Sequence, residues 1–322
     1  MLTILVYRDG RIEQVDRLDP SWLAPGTGIA AWVDFAAPDD EELDLLGKVF
    51  GFHPVAVDGA RAETQYPKAE AYDGYLYAVL HGIHFEKSRE AFATHDTDFF
   101  LRPGVLVTVH DGRTRSIPRV QELCRLNPQV LAEGPAALMH RIVDQMVDNY
   151  GPEVAELEAW LDELEEEVFE RPRPDIVREL LQLKRDVTAL RRIALPQRDV
   201  VNRLARREFA IVDQEVAYRF RDVYDHLVRI ADEALVFQER VNSLLDAHLS
   251  NISNQLNAIM KVLTVITVIF LPLTLVTGLY GMNMRLPLVG SEQDPRPFWW
   301  LVSAMAALVI AMLAVFRLRR WI

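Results

Sequence analysis

Between residues 257 and 278 the side chains Asn257, Met260, Thr264, Thr267, Leu271, Thr274 and Gly278 recur at spacings of mostly three and four, which holds them on one face if the segment is helical. That face is smaller and more polar than its neighbours, and its chemistry is that of neutral oxygen acceptors in an otherwise apolar run. Two uses fit. Such acceptors can line a path for a hydrated cation. Equally, the threonines can return their hydroxyls to carbonyls one turn back while Gly278 lets helices approach closely, as in bundles that conduct nothing. The acidic run Glu163–Glu167 is a second candidate for cation binding, although a charge run on a helix is more often a solvated face. His81 and His84 stand three apart in a β-like run, point to opposite faces and read as structural. No GxGxxG, GxxxxGK[ST] or HExxH pattern occurs, so nothing in the chain marks an enzyme. The single Cys124 excludes an intrachain disulfide and fits a reducing compartment.

The elements that must position these residues begin with the membrane. Val262–Tyr280 and Phe298–Phe316 are uncharged runs of 19 residues, each long enough to cross a hydrocarbon core of about 30 Å. Lys261 precedes the first, and Arg317, Arg319 and Arg320 follow the second. The positive-inside rule therefore predicts cytoplasmic flanks and an outer loop over 281–297. Tyr280, Trp299, Trp300 and Trp321 fall at the span ends, where aromatic rings favour the interface. Two helices enclose no polar path by themselves, so a pore here requires several copies of the chain. Pro272 removes one backbone hydrogen bond in mid-span, which membrane helices tolerate.

The formal charge of −12 is uneven: six basic and two acidic side chains put residues 261–322 at +4, leaving 1–260 at −16. So acidic a body excludes nucleic acid as a partner, which needs a clustered basic face, and is compatible with attracting cations. The start, MLTILVYRDG, lacks a basic flank and a long apolar stretch; it reads as a first strand of a chain beginning in the cytoplasm. Residues 1–135 mix β-like runs (Leu2–Tyr7, Ile29–Phe35, Tyr75–Phe85, Gly104–His110) with the helical Asp39–Phe50 and turns at Asp9-Gly10 and Asp111-Gly112, predicting a cytoplasmic α/β domain. Residues 136–260 read as helix: one to about Glu170, a break at Arg171-Pro172-Arg173-Pro174, a second to about Arg207, and a third from about Gln214. No stop signal interrupts the third before Tyr280, so it is expected to enter the membrane as one rod of roughly 100 Å at 1.5 Å per residue. Its stripe Val216, Phe220, Val223, Leu227, Ile230, Ala234, Phe237, Val241, Leu244, Leu245 needs apolar partners. Residues 261–322 form the transmembrane domain.

Tyr280-Gly281-Met282-Asn283, at the outer end of the first of two C-terminal spans, resembles the signature of the CorA family of magnesium and cobalt transporters. The preceding stretch strengthens the resemblance. Asn257-Ala258-Ile259-Met260-Lys261-Val262-Leu263-Thr264 and Phe270-Leu271-Pro272-Leu273-Thr274 look like the family's pore helix, and Phe220-Arg221-Asp222-Val223-Tyr224-Asp225-His226 like its stalk. His53-Pro54, Tyr66-Pro67-Lys68, Val168-Phe169-Glu170-Arg171-Pro172, Leu183-Lys184-Arg185 and the terminal Trp321-Ile322 follow in family order, so the resemblance covers nearly the whole chain.

The resemblance implies an α+β membrane protein: an N-terminal α/β cytoplasmic domain, a long helical stalk and two C-terminal transmembrane helices, assembled as a funnel-shaped homopentamer in the inner membrane with both termini cytoplasmic. It implies uptake of Mg²⁺, with Co²⁺ and Ni²⁺ as further cargo, through a pore lined by Asn257, Met260, Leu263, Leu271, Thr274 and Gly278. Gly281, Met282 and Asn283 would form the selectivity motif. The family places Leu263 where helical spacing alone places Thr264. It further implies that cytoplasmic Mg²⁺ holds the pore shut at acidic residues between subunits, to which Asp222 and Glu86 correspond, and that no resident cofactor is needed. After the motif the family's acidic segment is replaced by Met284-Arg285-Leu286-Pro287-Leu288-Val289-Gly290. An arginine beside the motif is closer to zinc transporters of the ZntB type, so Zn²⁺ transport, with or without proton coupling, is the alternative expectation.

Overall fold

The computed structural model describes residues 1–19, 29–62, 66–86, 91–170, 173, 175–282 and 296–319. Asn283, Met284–Gly290, Arg171, Pro172, Pro174, Arg320, Trp321 and Ile322 lie outside them, as does the side chain of Glu86. The chain divides into two compact units, Met1–Leu245 and Asp246–Ile322.

The first unit is built on a sheet in the order β2-β1-β3-β7-β6-β5-β4, comprising β1 (Leu2–Arg8), β2 (Arg11–Val15), β3 (Ala30–Ala36), β4 (Lys68–Tyr72), β5 (Tyr75–Glu86), β6 (Ala91–Arg102) and β7 (Val105–His110). β3 and β7 pair in parallel, the remaining neighbours antiparallel. Every residue of β7 is buried, as a central strand covered on both faces requires. On one face Ile4, Val6, Val33, Phe35, Val79, Phe100 and Val107 form a core with Leu43 and Leu46 of α1 (Asp40–Lys48) and Ala56 and Val57 of α2 (Pro54–Arg61). α1 starts where Asp39 and Glu42 close a capping box, and α2 where His53 accepts from the Val55 N–H with Pro54 in the first turn. The opposite face carries α3 (Ser116–Leu126), α4 (Gln129–Ala132) and α5 (Pro135–Asp148). There Trp32 donates to Thr108 (2.9 Å) and Gln121 donates to Asp34 (2.9 Å), so these polar groups beneath the helices are matched.

Three strands escape hydrophobic patterning. β2 and β4 are short edges, and β6 carries the polar run His95-Asp96-Thr97-Asp98. β6 exists because β5 and β7 both pair with it, and its polar side chains find partners across the sheet: Asp96 with His81 (3.2 Å), Asp98 with Tyr77 (2.6 Å) and His95 with Asp111 (2.8 Å). The continuous helix expected up to Glu170 is two, α5 and α6 (Tyr150–Glu170), separated at Asn149. Pro152 explains the break, since its ring supplies no N–H to the preceding turn and sits most easily in a first turn, where α6 places it.

α6 and α7 (Ile176–Ala205) are separate helices on either side of the Arg171–Pro174 break. Asp162, Glu163 and Glu166 are exposed on α6 while Leu161, Leu164 and Val168 are buried, so the acidic run is a solvated face; Arg240 pairs with Asp162 and Glu165, both at 2.6 Å. α8 runs unbroken over Gln214–Tyr280, 67 residues, as its lack of stop signals predicts. Its stripe from Val216 to Leu244 is buried. Phe220 is fully buried and meets the edge of His140 at 5.1 Å.

In the second unit, the C-terminal part of α8 and α9 (Arg296–Leu318) are both long and apolar enough to cross a membrane. On α8 Val265 is buried and Ile269, Pro272, Leu273 and Val276 are half-buried; on α9 Leu301, Met305, Val309, Met312 and Phe316 are half-buried. Each set recurs every three to four residues, so each marks the one side on which a helix of this unit is covered.

Candidate functional site: the open face of the first span

Asn257, Met260, Leu263, Leu271, Thr274 and Gly278 all lie on α8, and all are exposed. At about 100° per residue their mean direction is nearly opposite the Val265–Val276 side. Leu271, Thr274 and Gly278 line a groove of about 710 Å³ together with Thr267 and Met282. Leu263 is 55% exposed whereas Thr264 is half-buried; both flank the axis of this face. Gly281 closes the helix, its N–H donating to the Thr277 carbonyl at 2.8 Å, with Met282 exposed beyond it.

The threonine hydroxyls are spent on the backbone. Thr264 donates to Met260 O (2.7 Å), Thr267 to Leu263 O (2.8 Å), Thr274 to Phe270 O (2.8 Å) and Thr277 to Thr274 O (3.1 Å). This is the back-bonding that the spacing alone left open, and it has a chemical consequence. With its proton committed, each hydroxyl offers its surroundings only lone pairs. An exposed threonine of this kind is therefore an acceptor and suits a cation's water shell better than an anion's.

Asp222 is exposed on α8 in the first unit, and Glu86 ends β5. Asp222 stands near Asp144 of α5: burial chiefly, then the charges of Asp148 and Asp222, raise the Asp144 carboxyl above the usual carboxylate range. Asp144 and Asp148 are an i, i+4 pair, and that spacing was the signal available in the sequence; their approach to Asp222 depends on packing. Among the described residues no group of three or more His, Cys, Asp or Glu is arranged to hold a metal ion.

His81 and His84 do not form a joint site. His81 is buried and paired with Asp96, whereas His84 reaches Glu153 (3.3 Å) and Arg115. β4 begins at Lys68 opposite Val79, and beyond it the edge of β5 is taken over by a side chain: Gln197 of α7 accepts from the His81 N–H (2.8 Å) and donates to its carbonyl (3.2 Å), to which Tyr150 also donates (2.7 Å). A cavity of about 440 Å³ adjoins this part of the sheet, lined by Arg61, His81, Asp96, Asp98, His110 and Arg192 among others. Burial pushes Asp98 up to about 7, with Tyr77 opposing and the charge of Asp96 adding to the rise.

An α/β unit with a helical hairpin, followed by two helices long and apolar enough to cross a membrane, the first bearing an open face of back-bonded threonines, fits a membrane transport protein. The chain belongs to the CorA-like Mg²⁺ transporter protein family, whose model matches residues 28–320. It is 33% identical to the YfjQ protein of Bacillus subtilis (strain 168) over 96% of this chain and 93% of that one. It is 32% identical to the cobalt/magnesium transport protein CorA of Thermotoga maritima over 86% of this chain and 79% of the relative. The complete structure of the CorA magnesium transporter from Methanocaldococcus jannaschii superposes with a TM-score of 0.84 at 25% identity, covering 100% of this chain and 99% of that one. The cytoplasmic domain of ZntB from Vibrio parahaemolyticus shares the fold, with a TM-score of 0.61 at 15% identity over 78% of this chain and 98% of that domain. The protein is thus a divalent-cation transporter of the CorA family, located in a membrane.

Proposed function

We propose that this chain is a subunit of a homopentameric channel that admits Mg²⁺, and with it Co²⁺ and Ni²⁺, down the membrane potential. The observation that carries this reading is the open face of α8. From Leu249 through Ile252, Leu256, Ile259 and Leu263 to Leu271, apolar side chains 40–65% exposed continue as the threonine and glycine face, with no covering element in their own chain among the described residues. Copies of the chain packed around an axis would cover Leu249, Ile252, Leu256 and Ile259 and leave Asn257, Met260, Leu263, Leu271, Thr274 and Gly278 toward a central path. Leu263 and Leu271 serve as apolar constrictions. Asn283 supplies a ring of amide oxygens at the outer mouth, with Gly281 and Met282 as the rest of the selectivity motif.

The physical chemistry suits Mg²⁺. It gives up water reluctantly, so neutral acceptors can hold its hydrated shell without stripping it, and no carboxylate is needed in the span. Lys261, Arg317, Arg319 and Arg320 favour cytoplasmic termini in the inner membrane. Closure by cytoplasmic Mg²⁺ is assigned to Asp222, with Glu86 as the candidate partner. Near Asp222 the Asp144 carboxyl is raised chiefly by burial and secondarily by the charges of Asp148 and Asp222, and a divalent cation would relieve that secondary repulsion.

Arg285 favours a second reading, Zn²⁺ transport coupled to protons, because a cation beside the motif weakens attraction at the mouth. Flux into proteoliposomes at fixed voltage, with Mg²⁺ or Zn²⁺ outside and with or without a pH gradient, decides between the two. Voltage-driven Mg²⁺ entry that stops as internal Mg²⁺ rises supports the channel; Zn²⁺ entry that follows the proton gradient selects the second reading.

A further inference from the structure

We propose that Thr267 forms a ring of hydroxyl oxygens that keeps the path wet between the apolar rings of Leu263 and Leu271, and so acts as a conductance-determining residue; the proposal rests on the pentameric pore reading above. Thr267 lies four residues from each leucine, and at about 100° per residue all three fall within roughly 80° of one another. It is exposed and lines the same groove as Leu271, Thr274, Gly278 and Met282. Its hydroxyl proton is held by the Leu263 carbonyl at 2.8 Å, which leaves the oxygen acceptor-only toward the axis.

The position matters because of what the face would be without it. Leu263 to Leu271 spans about 12 Å at 1.5 Å per residue, and a narrow apolar stretch of that kind closes a pore by dewetting. Thr264 cannot take over the role, because it is half-buried whereas Thr267 is exposed. A ring of acceptors at mid-stretch divides the apolar length in two. It also meets a hydrated cation with the polarity its outward-pointing water hydrogens require, so the same oxygens favour cations over anions.

The test uses the full-length protein in proteoliposomes, with Mg²⁺ as the probe and a fixed membrane potential. Thr267→Val keeps the side chain's shape and removes the oxygen; it is expected to lower initial Mg²⁺ flux about tenfold, equivalent to ~1.4 kcal/mol on the barrier, with oligomer size unchanged. Thr267→Ser restores most of the flux. Thr267→Cys, in a chain whose one other thiol, Cys124, is fully buried, is blocked during transport by a membrane-impermeant cationic thiol reagent. If Thr267→Val conducts like the parent, or Thr267→Cys conducts and ignores the reagent, while Asn283→Ala abolishes selective uptake, the pore reading stands and the role of Thr267 is overturned. If Asn283→Ala and Thr267→Val both leave flux unchanged, the pore reading falls and takes the proposal with it. Should Thr267→Val fail to assemble, the thiol result alone decides.

Discussion

Replacing Asp98 by Asn should make the α/β unit more stable, and increasingly so as pH rises. Asp98 is 6% exposed, and its folded-state value of about 7 lies above the ordinary 3.8. A group raised in this way stabilises the fold fully below its unfolded value, and that contribution is lost as pH climbs through the folded one. At ~1.4 kcal/mol per pH unit, the loss between about pH 4 and pH 7 is on the order of 4 kcal/mol. Asparagine cannot ionise yet keeps an oxygen to accept from Tyr77, which now donates at 2.6 Å. Thermal unfolding of the full protein in detergent, followed through the fluorescence of the buried Trp32, measures the effect. Between about pH 5 and pH 8 the advantage of Asp98→Asn should widen by about 3 kcal/mol. That corresponds to roughly 6–12 °C for a unit of this size. Parallel curves for the two proteins would show that Asp98 does not change protonation in this range. A variant less stable at every pH would show that the carboxylate is held ionised by favourable partners, and the reasoning would fail.

Gln197→Leu leaves the His81 N–H without its partner at the bare edge of β5 and should cost about 1–3 kcal/mol, read as a lower melting temperature with no change in pH dependence. Gly59→Ala drives a Cβ to 2.6 Å from the Tyr77 hydroxyl, which cannot retreat because Tyr77 is fully buried and bonded to Asp98; overpacking of this kind costs about 1–3 kcal/mol, and a denaturant midpoint unchanged from the parent would refute it. Asn283→Ala should abolish selective Mg²⁺ uptake with assembly intact, whereas unchanged uptake excludes Asn283 from the mouth. Asp222→Ala should let Mg²⁺ entry persist at internal concentrations that close the parent channel, measured in the same liposomes.

Several features were legible in the order of residues because their physics is local. Two uncharged runs of 19 residues, Val262–Tyr280 and Phe298–Phe316, mark by length and hydropathy the two helices that are long and apolar enough to cross a membrane. The absence of a stop between Gln214 and Tyr280 predicted the unbroken α8, and the three-to-four spacing from Val216 to Leu244 marked its buried stripe. The α/β character of the first domain followed from the apolar runs of β1, β3, β5 and β7.

What tertiary structure decided depends on groups distant in sequence. β6 is a strand although its run His95–Asp98 is polar, because β5 and β7 supply hydrogen bonds on both edges and His81, Tyr77 and Asp111 partner Asp96, Asp98 and His95. Gln197 reads as an ordinary helix residue until α7 brings it 116 positions back to the edge of β5. Asp98 acquires its altered acidity only where burial removes water. On α8 the spacing defined a face but left its use open. The threonine back-bonds are local to the helix, but the half-buried side that leaves the opposite one open is set by what covers the helix, and no one-dimensional pattern states which side that is.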